Sequence, residues 1–250
     1  MPCSWAWVKK SMAMFKRPHH QQIAYALRAL NGPLLRENNC LFAGGTVMVL
    51  RFGEYRESVD IDFLVSDITC YRNLRQLLTG TGGIGAIVRE GVGPLLQQRE
   101  IRADQYGIRT VLDVAGQPIK FEIVLEGRIE LSPPDAGDEV CGIASLTPLD
   151  MAASKLLANS DRWADDGVFN RDVIDLAMME PSLDLLRRAV AKAETAYGQA
   201  IPRDLKKAID SLQQKHDWLE RCMDALAMTL PKALVWKNIR SLLRVTPGSN

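Results

Sequence analysis

Phe42-Ala43-Gly44-Gly45-Thr46 and, a few residues later, Arg56-Glu57-Ser58-Val59-Asp60-Ile61-Asp62-Phe63-Leu64-Val65 decide how this 250-residue chain is read. Residues 61–65 have the composition of a short strand, opened by Asp60 and Asp62 on either side of Ile61. Side chains alternate faces along a strand, so the two carboxylates project together, with their backbones about 6–7 Å apart. Like charges at that separation favour a cation between them, and hard divalent ions such as Mg2+ take one or two carboxylates together with phosphate oxygens. Gly44-Gly45 follows the apolar segment 40–43, a candidate buried strand. Glycines there let the backbone approach an anion, and their amides, with the Thr46 hydroxyl, can donate to phosphate. Metal carboxylates beside a phosphate loop are the parts of a nucleoside triphosphate site.

Outward from this stretch, residues 5–30 read as helix, with Ile23, Ala24, Ala26, Leu27 and Leu30 at helical spacing and Asn31-Gly32-Pro33 as the stop. The apolar run 47–52 is too short to assign by period. Residues 71–78 read as helix. The glycine-rich stretch 80–93 reads as a surface loop or hairpin, because it lacks the Lys-Ser/Thr ending of a P-loop. Segments 107–114 and 119–125 form an antiparallel pair turned by Ala115-Gly116-Gln117-Pro118. Beyond the loop 132–137 the pattern is helical over 148–158, 171–179, 182–196, 202–227 and 231–243, with Pro202 and Pro231 where first-turn prolines belong. The expectation is an α+β protein: an N-terminal helical segment over 1–40, a mixed-sheet domain with flanking helices over 41–135, and a C-terminal helical domain over 136–250.

Composition excludes several classes. At 47% hydrophobic and 24% charged residues the chain is neither low-complexity nor membrane-spanning, since no apolar run reaches the roughly 20 residues a crossing helix needs. The first residues hold no uninterrupted apolar core or small-residue cleavage site, so no secretory leader is expected. Five scattered cysteines without a C-x-x-C argue against a disulfide framework or a zinc site and make the cytoplasm the expected location. The three histidines give no metal spacing. The net charge of +1 hides a partition: six basic residues to one acidic over 1–40, thirteen to twenty-two over 41–180, and twelve to seven over 181–250. The plain reading is solvated helix faces; the functional one is a middle whose acids hold a cation and flanks, including Arg187, Arg188, Lys206, Lys207, Lys237 and Arg240, that hold a polyanion.

A third carboxylate would complete a two-metal site. In 119–125 the apolar Ile119, Phe121 and Ile123 share one face and Glu122 projects from the other beside Lys120 and Val124. An acid amid apolar neighbours is unfavourable unless paired or metal-bound, which makes Glu122 the first candidate. Asp113, one strand earlier and next to the turn glycine Gly116, is the alternative.

Gly44-Gly45-Thr46 followed by Arg56-x-Ser58-x-Asp60-Ile61-Asp62-Phe63 resembles the first motif of the nucleotidyltransferase fold. More narrowly, the chain resembles the abortive-infection toxin nucleotidyltransferases of the AbiEii/AbiGii type, which include the MenT tRNA-modifying toxins. A helix with a lysine and then a basic-Asp pair on the next helix belong to that pattern, and both are present: Lys155 in Leu149-Asp150-Met151-Ala152-Ala153-Ser154-Lys155-Leu156-Leu157-Ala158, then Asn170-Arg171-Asp172-Val173-Ile174-Asp175. The likeness runs over residues 41–179; the acidic segment 163–167 and the loop 80–93 depart from it.

The resemblance implies a metal-dependent enzyme that transfers a nucleoside monophosphate from a triphosphate and releases pyrophosphate. It implies a toxin of a toxin–antitoxin or phage-defence system, an RNA acceptor such as a tRNA 3′ end, and a cognate antitoxin as partner. Asp60, Asp62 and Glu122 would hold Mg2+ or Mn2+, with Glu122 also helping to activate the attacking hydroxyl. Gly44, Gly45, Thr46 and Lys155 would contact the nucleotide, Arg56 and Ser58 would brace the D-x-D loop or touch phosphate, Arg56 being the favoured contact, and Asp172 would orient Lys155 or touch the nucleotide itself. Asp175, on the same helix face as Asp172, reads as structural. The alternatives are a small-molecule transferase of the antibiotic type, a protein AMPylator and a silent nucleotide-binding module.

Overall fold

The computed structural model describes residues 15–93 and 95–246, so the first part of the helix expected over 5–30, with Lys9 and Lys10, lies outside the described residues. Two compact units are present: one takes the chain up to Glu54 together with Ser58–Leu146, the other takes Tyr55–Glu57 and the chain from Thr147 onward.

The first unit opens with α1 (Pro18–Ala29), started by a first-turn proline and burying Ile23, Ala24, Ala26 and Leu27. Asn31-Gly32-Pro33 ends α1 and starts α2 (Gly32–Glu37), because the Asn31 side chain accepts the Leu34 amide as an N-cap. Strand β1 (Leu41–Ala43) runs directly into α3 (Gly44–Arg51). The stretch that periodicity leaves unassigned is therefore a helix. Its residues Thr46 to Leu50 are buried all round, so no polar face marks the period. Strand β2 (Ile61–Val65) leads to α4 (Ile68–Thr79), capped by the Asp67 carboxylate. Within the glycine-rich stretch lies one short 3-10 turn, Gly83–Ile87. Then follow β3 (Leu96–Gln97), β4 (Arg102–Ala103), the long hairpin β5 (Gly107–Val114) and β6 (Gln117–Leu125), and a small hairpin of β7 (Glu139–Val140) with β8 (Ile143–Ala144).

The sheet is mixed, as expected. Its order is β1-β2-β6-β5-β3, with β4 also pairing β5; β2 and β6 are parallel and the other pairs antiparallel. Ile61, Phe63, Val65, Ile119, Phe121, Ile123, Ile108 and Leu112 are buried on one face. Asp62, Leu64, Lys120, Glu122, Val124, Arg109 and Val111 alternate with them on a face that stays partly open. Phe63 is fully buried, with its ring centroid 5.7 Å from Phe42 and 5.6 Å from Phe121 across neighbouring strands.

The second unit is helical: α5 (Pro148–Arg162), α6 (Arg171–Met178), α7 (Leu183–Tyr197), α8 (Ala200–Gln214), α9 (Trp218–Ala225) and α10 (Lys232–Ser241). Thr147 and Ser182 cap α5 and α7 through their hydroxyls, and α5 packs against α6, α7 and α8. The single helix expected over 202–227 is two, broken by extended Lys215 and by Asp217 at φ +51°. No helix among the described residues is long and apolar enough to cross a membrane. Burial pushes the thiol of Cys222 up to about 12 and that of Cys40 higher still, so neither is a ready nucleophile.

Phe63→Ala should empty the centre of the aromatic row and lower stability by about 3–5 kcal/mol. Urea unfolding followed by circular dichroism reads this as a lower midpoint; a midpoint within error of wild type would show the row does not carry the sheet's packing.

Candidate active site

The parallel pairing of β2 with β6 puts Asp62 directly opposite Glu122. The antiparallel pairings continue the same row to Arg109 on β5 and Arg102 on β4. Four charged side chains thus cross the open face on four adjacent strands in the order Asp62, Glu122, Arg109, Arg102. Glu122 accepts from Arg109 Nε and from Lys120 Nζ, both at 2.5 Å. Burial alone would push the Glu122 carboxyl up, but these two cations hold it below the usual range. The compensation that the sequence calls for at Glu122 comes here from cations of the protein. Burial also works against the charge on Lys120, yet Glu122, Asp62 and Asp60 together raise its pKa, as expected of a cation set among three acids. Asp113 stands apart from the row: it accepts the Gly116 amide in the hairpin turn and the Gln98 side chain, and pairs in register with Pro118.

Gly44 is the first residue of α3 and has φ +74°. A Cβ there would lie 2.4 Å from Asp62 Oδ2, so only glycine lets the carboxylate rest against the helix start. No side chain caps α3, and the amides of Gly44, Gly45 and Thr46 open the helix at its positive end. Thr46 itself is buried and its hydroxyl donates to the Asp60 carbonyl oxygen. A hydroxyl has one proton, so the 2.8 Å contact between Thr46 and Ser58 is donated by Ser58. The Ser58 amide donates to His20 Nε2 at 3.2 Å, which leaves His20 Nδ1 to donate to Glu54 at 2.8 Å. Thr46 and Ser58 therefore hold the approach to Asp60 through their own hydrogen bonds. His20, Glu54 and Arg109 belong to this arrangement and escape the sequence reading; the adjacent pair His19-His20 carries no signal of a partner 34 residues away.

Asp60 and Asp62, partly exposed at the start of β2, fit a divalent cation that takes two carboxylates and fills its other positions with phosphate and water oxygens. No group of three His, Cys, Asp or Glu side chains arranged to hold a metal occurs among the described residues.

In the helical unit Lys155 and Asp172 are brought together, with four further groups, Asp175, Arg162, Arg56 and Tyr55. Lys155 Nζ lies 3.1 Å from Asp172 and 2.6 Å from Asp175. Arg162 donates twice to Asp172, Arg56 donates to both oxygens of Asp175, and the Tyr55 hydroxyl donates to Asp175 as well. Arg56 is thus a buried brace for Asp175. Desolvation would push both carboxyls up; Arg56 and Lys155 at Asp175, and Lys155 and Arg162 at Asp172, hold them below the usual range, Asp175 the further. Arg162 was legible: it follows Lys155 by seven residues, which puts both on one face of α5. Of the basic residues in the C-terminal flank, Lys206 pairs with Asp210, Lys207 with Asp204 and Arg188 with Asp184. In the acidic segment before α6, Asp166 pairs with Lys215.

Two outcomes follow from this geometry. Gly44→Ala should displace the Asp62 carboxylate, abolish binding of Mg2+ with nucleotide in calorimetric titration, and lower stability by roughly 1–3 kcal/mol; unaltered titration would place the cation elsewhere. Asp175→Asn leaves Arg56 and Lys155 buried against a neutral group and should cost about 3–5 kcal/mol at pH 7. Because the folded-state pKa values of Asp172 and Asp175 are lowered, their contribution is full above the ordinary Asp range near ~4 and fades as pH falls below it. The variant's loss, measured by urea unfolding, should therefore shrink at low pH; a loss constant from pH 7 to 3 would contradict the ion-pair account.

A family model described as "Nucleotidyl transferase AbiEii toxin, Type IV TA system" matches residues 26–241. Among solved structures, JHP933 from Helicobacter pylori is 16% identical at a TM-score of 0.49, over 92% of this chain and 94% of that one. A second H. pylori structure, described as a candidate nucleotidyltransferase, has the same identity and TM-score over 92% of this chain and 96% of that one. The Megavirus polyadenylate synthase is 14% identical at a TM-score of 0.31, over 84% of this chain and 40% of that one. No curated protein matches.

Proposed function

This chain belongs to the AbiEii nucleotidyltransferase toxin family of type IV toxin–antitoxin systems, and we propose that its nucleotidyl transfer runs at Asp60 and Asp62 with a divalent cation, Mg2+ or Mn2+, and an RNA acceptor. The reading is carried by one observation: Asp62 lies in register with Glu122 and against the start of α3, where Gly44 leaves it room. Asp60 and Asp62 would hold the cation, which when bound neutralises the triphosphate and polarises its α-phosphorus. The Gly44 and Gly45 amides donate to phosphate oxygens at the positive end of α3. Thr46 and Ser58 fix the backbone from which Asp60 projects. Glu122 stands beside Asp62 as the third carboxylate and helps activate the attacking hydroxyl once Arg109 and Lys120 turn toward phosphate. Lys155, oriented by Asp172 and Asp175, is the helical unit's cation for the triphosphate, and Arg162 and Arg56 keep that orientation.

The acceptor hydroxyl oxygen bonds to the α-phosphorus, the bond to the β-phosphate oxygen breaks, and pyrophosphate leaves while the hydroxyl proton passes to a carboxylate. A tRNA 3′ end is the acceptor that best suits a toxin, since a nucleotide added there blocks the hydroxyl that carries the amino acid, and a cognate antitoxin in the same cytoplasm is the partner the family implies.

Incubation with Mg2+, each labelled triphosphate in turn and total RNA should label RNA, and Asp62→Asn should abolish the labelling while leaving the circular dichroism spectrum unchanged. Full labelling by Asp60→Asn/Asp62→Asn would remove these acids from the mechanism, and label appearing only on protein or on small molecules would replace RNA as acceptor.

A further inference from the structure

Beside Asp60 the sheet unit forms an open cleft of about 860 Å³ along β5 and the start of β6. Its lining carries Arg99, Arg102, Arg109 and Lys120 against two acids, Asp60 and Glu100. Arg109 and Lys120 are engaged with Glu122, and Arg109 also with Asp104. Arg99 and Arg102 are exposed, and neither guanidinium makes an ion pair or hydrogen bond among the described residues. Arg102 also stands directly opposite Arg109 across β4 and β5. Like charges opposite each other on neighbouring strands are destabilising. A fold that keeps two arginines in that relation, with a third unpaired beside them, keeps a place for anions.

We propose that this cleft is the track for the acceptor strand: Arg99 and Arg102, with Arg109, contact successive phosphates of single-stranded RNA and lead its terminal hydroxyl toward Asp60 and Asp62. The inference rests on the RNA-acceptor reading above and adds where that RNA lies.

Three arguments place an RNA strand, not the triphosphate itself, along this cleft and not along the C-terminal flank. Arg102 is three strands from Asp62 in the same row, about 14 Å at the usual strand spacing. That is beyond a triphosphate whose phosphates share a cation with Asp60 and Asp62. A chain of phosphodiesters supplies regularly spaced charges over such a distance. The cleft also contains Asp60 in its wall, so a strand lying along it ends at the candidate catalytic acids. The C-terminal basic flank is a weaker track, because Lys206, Lys207 and Arg188 already have carboxylate partners on their own helix.

The test measures binding of a fluorescent single-stranded RNA 12-mer ending in CCA to the full chain across a salt series, with Mg2+-nucleotide affinity measured in parallel. Each phosphate contact on a single strand contributes roughly 0.7 to the slope of log affinity against log salt. Arg99→Gln/Arg102→Gln should weaken RNA binding and flatten the slope by about 1.4, with nucleotide affinity unchanged. Arg99→Glu/Arg102→Glu should abolish RNA binding. Lys206→Ala/Lys207→Ala should leave the slope at the wild-type value. Wild-type binding that both arginine double variants retain with the same slope overturns the track alone. A slope flattened by the lysine variant instead moves the RNA to the flank and overturns it too. No binding by wild type, even at low salt, overturns the RNA-acceptor reading and the track with it.

Discussion

Asp62 and Glu122 face each other across two parallel strands, and the rest of the sheet unit is arranged so that these like charges can stay there. Carboxylates in register on neighbouring strands repel. The sheet answers from one side with Arg109 and Lys120, which hold Glu122 ionised. It answers from the other with Gly44, whose missing side chain seats Asp62 at the positive end of α3. Those two answers differ in kind. Glu122 is neutralised by mobile side chains, whereas Asp62 is steered by backbone that cannot move away.

The helical unit solves a related problem differently. Asp172 and Asp175 are one turn apart on α6 and buried, a pairing that desolvation would forbid in isolation. Arg56, Lys155, Arg162 and the Tyr55 hydroxyl enclose them, giving three cations to two acids. The cluster as a whole therefore carries excess positive charge, with the Lys155 ammonium held in place by two carboxylates. Asp175, which reads as structural in the sequence, is the residue on which that cluster closes.

How much of this could be read beforehand depends on the range of the interaction. Period-two alternation placed Asp60 with Asp62 and set Glu122 opposite the apolar face, because those relations are fixed by neighbours one or two residues away. The hairpin from β5 to β6 was legible from its turn residues. The segment 47–52 was not, since a helix buried all round has no polar face to reveal its period. The register of β2 on β6 joins residues 60 apart in the chain, and Arg56 meets Asp175 119 positions away, so composition and spacing have no hold on either. Arg56 in particular reads as a phosphate contact from its place in the motif, and the partner that buries it lies on a helix the motif does not include.

The open face of the sheet ties these points to function. Helices cover the face that carries Ile61, Phe63 and Phe121, so the opposite face is free to hold charge without burying it. Along that face the row changes sign from β2 to β4, acids first and arginines last. A cationic acceptor would find the arginine end unfavourable, and a bare polyanion would find the acid end so. A phosphate chain whose reactive end meets a cation at the acids satisfies both ends at once. On the reading proposed above, the order of charges across the four strands suits a polymer of phosphates approached end-on.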